Sequence, residues 1–212
     1  MRSPDSLTAA LLQERLAGTR APEDPLDVVM PAGSERWPDL MRELTARTLR
    51  PAGVLIPVIE RAAGLSVLLT QRSAELKHHA GQVSFPGGRM EEHDRDVVHA
   101  ALRETHEEVG IPPADISIVG YLPPMLTVTG YAVTPVVGLL TDGIALQIDH
   151  TEVEYAFEVP LAFLLDSRNE RALEREYRGR RIPTVEFHYE GERIWGATAS
   201  MLIELRKTLI KE

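Results

Sequence analysis

The chain has 212 residues, 43% of them hydrophobic, which suits one domain or at most one and a half with a sizeable core. Lys plus Arg number 23 and Asp plus Glu 32, and the formal net charge of -9 argues against a protein that coats nucleic acid. Cysteine is absent, which excludes disulfides, thiolate zinc sites and a cysteine nucleophile, and fits a reducing compartment.

No long apolar run follows the basic start of the chain, so no signal peptide is expected. The apolar run Val54 to Ile59, interrupted by Pro57, is far too short to span a membrane. The expectation is a soluble, cytoplasmic protein.

Leu7, Leu11, Leu12 and Leu16 recur at helical spacing and predict a helix over 6–17 with Ser6 as its cap. Residues 18–35, rich in Gly, Pro and Asp, read as a connector before a second helix at about 37–48. Strands are predicted over 53–59 and 65–72, followed by a turn-rich segment ending in Ser84-Phe85-Pro86-Gly87-Gly88. A helix from about Asp94 to Val109 carries Val97, Val98, Ala101, Leu102 and Val109 on its apolar side, and Gly110 stops it. Further strands are expected over 116–122, 127–140, 153–159 and 184–195, with a last amphipathic helix over 197–210. Residues 168–181 hold six Arg against three Glu and read as a solvated helix and loop, with a reach toward a phosphate as the other reading. Strands outnumber helices and alternate irregularly with them, which predicts an α+β fold, a mixed-sheet α/β/α sandwich. Residues 1–49 form an N-terminal helical extension packed on or flanking a main domain over 50–212.

The densest chemical signal is Arg103-Glu104-Thr105-His106-Glu107-Glu108-Val109-Gly110. On a helix, Glu104, Glu107 and Glu108 fall three and four residues apart and are expected on one face, where like charges destabilise. Only Arg103 relieves them within the cluster. Hard cations such as Mg²⁺ take carboxylate oxygens and keep sites open for phosphate oxygens, so the arrangement makes sense with a cation on it. The plain alternative is a solvated acidic helix face. Residues 91–108 hold seven acids and two arginines, so the acidity of the chain is mostly this one local feature.

Gly87-Gly88, an acidic loop and Arg-Glu-x-x-Glu-Glu-x-Gly together resemble the box of the Nudix hydrolase superfamily. In that family a loop–helix–loop binds divalent cations and hydrolyses a diphosphate linked to another moiety. The match departs from the usual pattern in three places. Asp94 stands where the box has Glu, eight residues rather than seven separate it from Arg103, and Thr105 takes an apolar position. The upstream stretch Leu68-Leu69-Thr70-Gln71-Arg72-Ser73, Leu76-Lys77, His79 and Gly81 through Gly88 resembles the coenzyme A pyrophosphatase subgroup. So do Glu152-Val153, Val159-Pro160-Leu161 and Trp195-Gly196-Ala197-Thr198-Ala199. The resemblance covers about residues 50–205.

It implies a Nudix-type sandwich and cleavage of coenzyme A, or a derivative, to 4'-phosphopantetheine and adenosine 3',5'-bisphosphate. It also implies Mg²⁺ or Mn²⁺ held by Glu104, Glu108 and Glu107. Arg103 reads as the residue that ties Glu104 or Glu107 in place or as a phosphate ligand, and Glu152 as a base, a further metal ligand or an ordinary loop acid. Arg72, His79, Gln82, Ser84, Gly87 and Gly88 are candidate substrate contacts, alongside Lys77; Arg72 also reads as one end of a salt bridge and His79 as a turn cap. His78, His93, His99 and His106 have no ligand spacing and read as surface residues. The partner expected is a small molecule, with neither nucleic acid nor membrane, and the assembly a monomer or homodimer. The competing readings are a Nudix hydrolase of ADP-ribose, NADH or another nucleoside diphosphate derivative, and a non-catalytic nucleotide-binding regulator on the same fold.

Overall fold

A computed structural model describes residues 7–28, 38–46, 48–76, 79–177 and 179–210. The chain opens with α1 (Ala9–Leu16) and α2 (Pro38–Thr45). It continues through strands β1 (Arg50–Arg61), β2 (Gly64–Arg72), β3 (Val83–Ser84) and β4 (Gly87–Arg89) into helix α3 (Val97–Val109). Strands β5 (Ser117–Tyr121), β6 (Met125–Leu126), β7 (Tyr131–Leu140) and β8 (Val153–Pro160) lead to α4 (Leu161–Leu165). Strands β9 (Glu170–Tyr177), β10 (Arg180–Tyr189) and β11 (Glu192–Trp195) precede α5 (Gly196–Leu209).

The main sheet runs β3-β2-β1-β7-β5, with β4 also paired to β1, β6 to β7 and β8 to β2. Its centre is the parallel pair β1–β7, aligned from Arg50↔Tyr131 to Ile59↔Leu140, and the other pairs are antiparallel. The fold is therefore α+β with a mixed sheet, as the irregular alternation of elements implies. Successive side chains of β1 point to opposite faces. Leu55 and Ile59 join Ala101, Val109, Ile111, Val136 and Leu140 under α3. Ala52, Ile56 and Val58 join Leu12 and Leu16 of α1 and Leu202 and Leu205 of α5 on the other side. The sheet is thus buried on both faces, and β1 and β7 read as apolar runs rather than as alternating strands.

Several boundaries differ from the sequence expectation, each for a local reason. Ser6 lies outside the described residues, and α1 is capped by Thr8, whose side chain accepts from the Leu11 N–H. Helix α3 starts at Val97 rather than Asp94, because Asp96 caps it by accepting from the His99 N–H. The strand expected over 127–140 begins at Tyr131, since residues 127–130 close a turn in which Tyr131 C=O accepts from the Thr127 N–H. The stretch 184–195 is two strands, broken at Glu190 and Gly191, both at positive φ. The helix and loop expected over 168–181 are instead β9, the turn at Gly179 and the start of β10. There Arg171, Leu173 and Arg175 alternate with Glu170, Glu174 and Glu176, a period of two rather than 3.6.

Helix α1 is seated by a glycine. A Cβ on Gly120 of β5 would stand 2.6 Å from Leu16 Cβ and 2.8 Å from Thr19 Oγ1. The same Thr19 hydroxyl accepts from the Tyr121 N–H at 2.9 Å, so the side chains of Leu16 and Thr19 rest directly on the strand backbone. Gly120→Ala therefore forces overpacking and is expected to cost roughly 1–3 kcal/mol, read as a lower urea midpoint together with faster proteolysis ahead of residue 28. An unchanged midpoint would show that α1 does not depend on this contact.

Candidate active site

Glu104 and Glu108 lie one turn apart on α3, toward the sheet. Their side chains are 16% and 1% exposed, whereas that of Glu107 is 54% exposed. The expectation that all three share one face is corrected, because a step of one residue turns the helix by about 100° and carries Glu107 outward. The third carboxylate of the group comes from another element. Glu104, Glu108 and Glu152 each offer an oxygen, and these oxygens lie within 4.8 Å of one another.

Glu152 is delivered by the segment between β7 and β8, which docks on the C-terminal end of α3. Val109 C=O accepts from the Gln147 N–H and Glu108 C=O from the Asp149 N–H, at 2.9 and 3.0 Å. Asp149 C=O in turn accepts from the Glu152 N–H at 3.0 Å, while Glu152 C=O accepts from the Ser73 N–H at the end of β2 at 2.9 Å. Gly110 ends α3 at φ 73, left-handed backbone that glycine adopts without penalty, and Gln147 packs where a side chain would stand. The third acid is therefore placed through backbone hydrogen bonds to both α3 and β2.

Glu108 is the most buried member. Its carboxylate accepts from Arg72 Nη1 and from the Gly87 N–H, each at 3.3 Å. Burial, reinforced by the charges of Glu104 and Glu152, outweighs Arg72 and the Gly87 amide and pushes its carboxyl up to about 8. Burial also raises Glu104, against the pull of Arg103. Gly88 closes the other side, since a Cβ there would fall 2.5 Å from Glu104 Cδ.

Arg103 holds the acidic cluster in order. Its Nη1 donates to Glu104 at 2.9 Å and to Glu107 at 2.8 Å; its Nε and Nη2 donate to the two oxygens of Asp94 at 3.0 and 2.9 Å. Asp94 has a fully buried side chain that also accepts from the Glu91 N–H at 2.8 Å and lies 2.7 Å from His99 Nδ1. The guanidinium beside it holds its carboxyl well below the usual range. Asp94 is thus the anchor of Arg103, a role that spacing alone did not reveal; an acid one residue out of register with the box pattern was its only signal. His99, read as a surface residue, is half-buried against it.

Of the remaining candidates, Arg72 meets Glu108, and Ser84 Oγ lies 3.2 Å from Thr70 Oγ1. His79, at φ 58 in the turn, and Gln82 bond each other, with Nδ1 2.9 Å from Oε1. Lys77 and His78 lie outside the described residues.

The raised Glu108 gives a signed pH dependence. With a folded pKa above the unfolded value of 4.5, the group binds more protons folded than unfolded. Its stabilising contribution is complete below about pH 4.5 and is lost as pH rises toward about 8. In metal-free protein the melting temperature of the wild type is expected to fall across this window by more than that of Glu108→Gln. A Mg²⁺ ion held by Glu108 would raise the wild-type melting temperature more at pH 8 than at pH 6, where a proton must first leave. Parallel pH profiles for the two proteins would contradict the burial assignment.

Residues 49–186 match the family model of the NUDIX domain. The chain is 42% identical over 172 residues to NudL, an uncharacterised Nudix hydrolase of Escherichia coli (strain SMS-3-5 / SECEC), covering 80% of this chain and 89% of that protein. The NudL protein of Shigella boydii serotype 18 is equally similar. Among solved structures, an Ap4A hydrolase of C. elegans in a binary complex aligns with a TM-score of 0.46 at 22% identity, over 52% of this chain and 80% of that one. The carboxylate-bearing helix between a Gly-Gly strand and a capping glycine lies inside the matched residues, and the chain belongs to the Nudix hydrolase family.

Proposed function

We propose that the chain hydrolyses the diphosphate bond of coenzyme A or one of its derivatives, giving 4'-phosphopantetheine, or its acyl form, and adenosine 3',5'-bisphosphate. The observation that carries hydrolysis is the group Glu104, Glu108 and Glu152, with oxygens within 4.8 Å of one another. Three carboxylates, one of them 1% exposed, are a donor set for a hard divalent cation and a poor arrangement without one. The choice of coenzyme A rests on the stretch from Leu68 to Gly88, which resembles that subgroup and whose Arg72 and Gly87 reach Glu108.

When bound, Mg²⁺ or Mn²⁺ supplies charge neutralisation of the diphosphate and a more acidic water. Glu104 and Glu108 are the proposed ligands from α3, with Glu152 from the opposite side as ligand or as base toward the attacking water. Glu107, resting on Arg103 beside the group, is proposed to complete it from outside. Arg72 donates to Glu108 through one nitrogen only, which leaves other N–H donors for a phosphate oxygen. Gly87 and Gly88 let the chain pass close to the carboxylates, and His79, Gln82 and Ser84 extend the substrate side from the neighbouring turn and strand. Arg103 is proposed to act by orienting Glu104, since Asp94 occupies two of its nitrogens. In-line attack on phosphorus then depends on positioning and charge stabilisation, with no covalent intermediate.

Mass-spectrometric product analysis tests the reading. Purified protein with Mg²⁺ or Mn²⁺ is expected to release 4'-phosphopantetheine and adenosine 3',5'-bisphosphate from coenzyme A. Release from ADP-ribose but not from coenzyme A would move the substrate to another nucleoside diphosphate derivative. Glu152→Gln is expected to lower turnover on the order of 100-fold or more, and Glu107→Gln by much less. Equal losses would put Glu107 inside the group with the others.

A further inference from the structure

The second sheet, β9-β10-β11, separates charge between its two faces. Directly paired residues share a face, and the register places Arg171 opposite Glu186 and Glu186 opposite Trp195. One face therefore carries Arg171, Arg175, Glu186, Arg193 and Trp195. The other carries Phe187 and Ile194, both fully buried in the core, together with Glu170, which pairs with Arg206 of α5. On a chain of net charge -9, the first face is locally basic.

Trp195 sits at the centre of it. Arg175 Cζ lies 3.8 Å from the centre of the indole system and Arg193 Cζ 5.6 Å from it. Arg193 is neutralised by Glu186, which accepts from its Nε at 2.6 Å and lies 2.6 Å from His188 Nε2. Arg175 has no ion pair with a described residue, so its guanidinium is stacked on an indole with its N–H donors uncommitted to any described carboxylate.

The strand that carries Trp195 is anchored to segments that border the carboxylates, through Glu192 on its reverse face and through the helix that follows it. Strand β11 packs against β3, and Thr198, just beyond Trp195, donates to Val83 C=O of β3 at 3.1 Å. Strand β3 runs directly into Gly87, whose amide meets Glu108. On the other side, Glu192 of β11 accepts from the Tyr155 hydroxyl at 2.7 Å, three residues after Glu152. The strand bearing Trp195 is therefore tied to both segments that border the carboxylate group.

We propose that Trp195, Arg175 and Arg171 form a subsite for the phosphorylated nucleoside end of the substrate. The planar base stacks on the Arg175–Trp195 pair, and the guanidiniums of Arg175 and Arg171 take its phosphate. Arg suits both tasks, since its plane stacks on aromatic faces while its edge donates two parallel hydrogen bonds to phosphate oxygens. This deepens the diphosphate-hydrolase reading and rests on it for where the remainder of the ligand lies.

Calorimetric titration of the full, metal-free chain with adenosine 3',5'-bisphosphate tests the subsite without turnover. Wild type is expected to bind it, and AMP more weakly. Arg175→Gln and Trp195→Leu are each expected to lose on the order of tenfold in affinity or more, with Trp195→Phe retaining part of it. Binding of 4'-phosphopantetheine, which has no base, should be the same in all four proteins. Equal affinity for the bisphosphate in wild type and Arg175→Gln overturns the subsite, as does its absence in wild type. Should Trp195→Leu fail to fold, Arg175→Gln carries the test. Cleavage of coenzyme A with unchanged bisphosphate affinity in Arg175→Gln removes the subsite alone. Bisphosphate binding that depends on Arg175, without cleavage of coenzyme A, removes the substrate reading alone.

Discussion

Three carboxylates gathered within 4.8 Å, one of them almost wholly out of water, are the constraint around which the rest of the site is arranged. Like charges at that range repel, and a buried carboxylate with weak partners resists ionisation. Glu108 has one guanidinium and one backbone amide, both at 3.3 Å, and its carboxyl stays protonated well above the usual range. A solvated acidic helix face would have none of this burial. The energetic cost makes sense where a cation and a polyphosphate meet, because each then offsets the charge of the other.

Holding that group in place takes more of the fold than the helix that names it. The parallel pair β1–β7 provides the floor on which α3 packs through Ala101 and Val109. The segment from Gln147 to Glu152 then closes over the C-terminal end of α3 by backbone hydrogen bonds that do not depend on side-chain identity. Arg103 shares its donors between Glu104, Glu107 and Asp94, so that Asp94, buried beneath, fixes the guanidinium that holds Glu104. Removing one partner of such a buried network leaves an uncompensated charge, a larger loss than the net worth of any one pair.

Charge is arranged at two scales. The acids of residues 91–108 account for much of the net charge and converge on α3 and the loop before it. The arginines of β9 gather on one face of the second sheet because strand alternation sends the intervening glutamates to the other. An acidic protein thereby presents one basic, aromatic face as well as a cluster of three carboxylates. Under the proposed function the first would suit a nucleoside end and the second a metal-bound diphosphate.

The sequence by itself determined the local chemistry: α3 with its Arg-Glu-x-x-Glu-Glu pattern, the capping Gly110, the Gly-Gly approach, the apolar β1 and β7, and the mixed α+β class. These are legible because each depends on spacing within a few residues. Tertiary structure decided what spacing cannot express. Helical rotation turned Glu107 outward, and the β7–β8 segment brought Glu152 to Glu104 and Glu108 across more than forty residues of chain. Burial made Asp94 the anchor of Arg103, and strand pairing put Arg175 on Trp195. Periodicity encodes which way a side chain points within its own element, but which elements face one another is set by the burial of the whole chain.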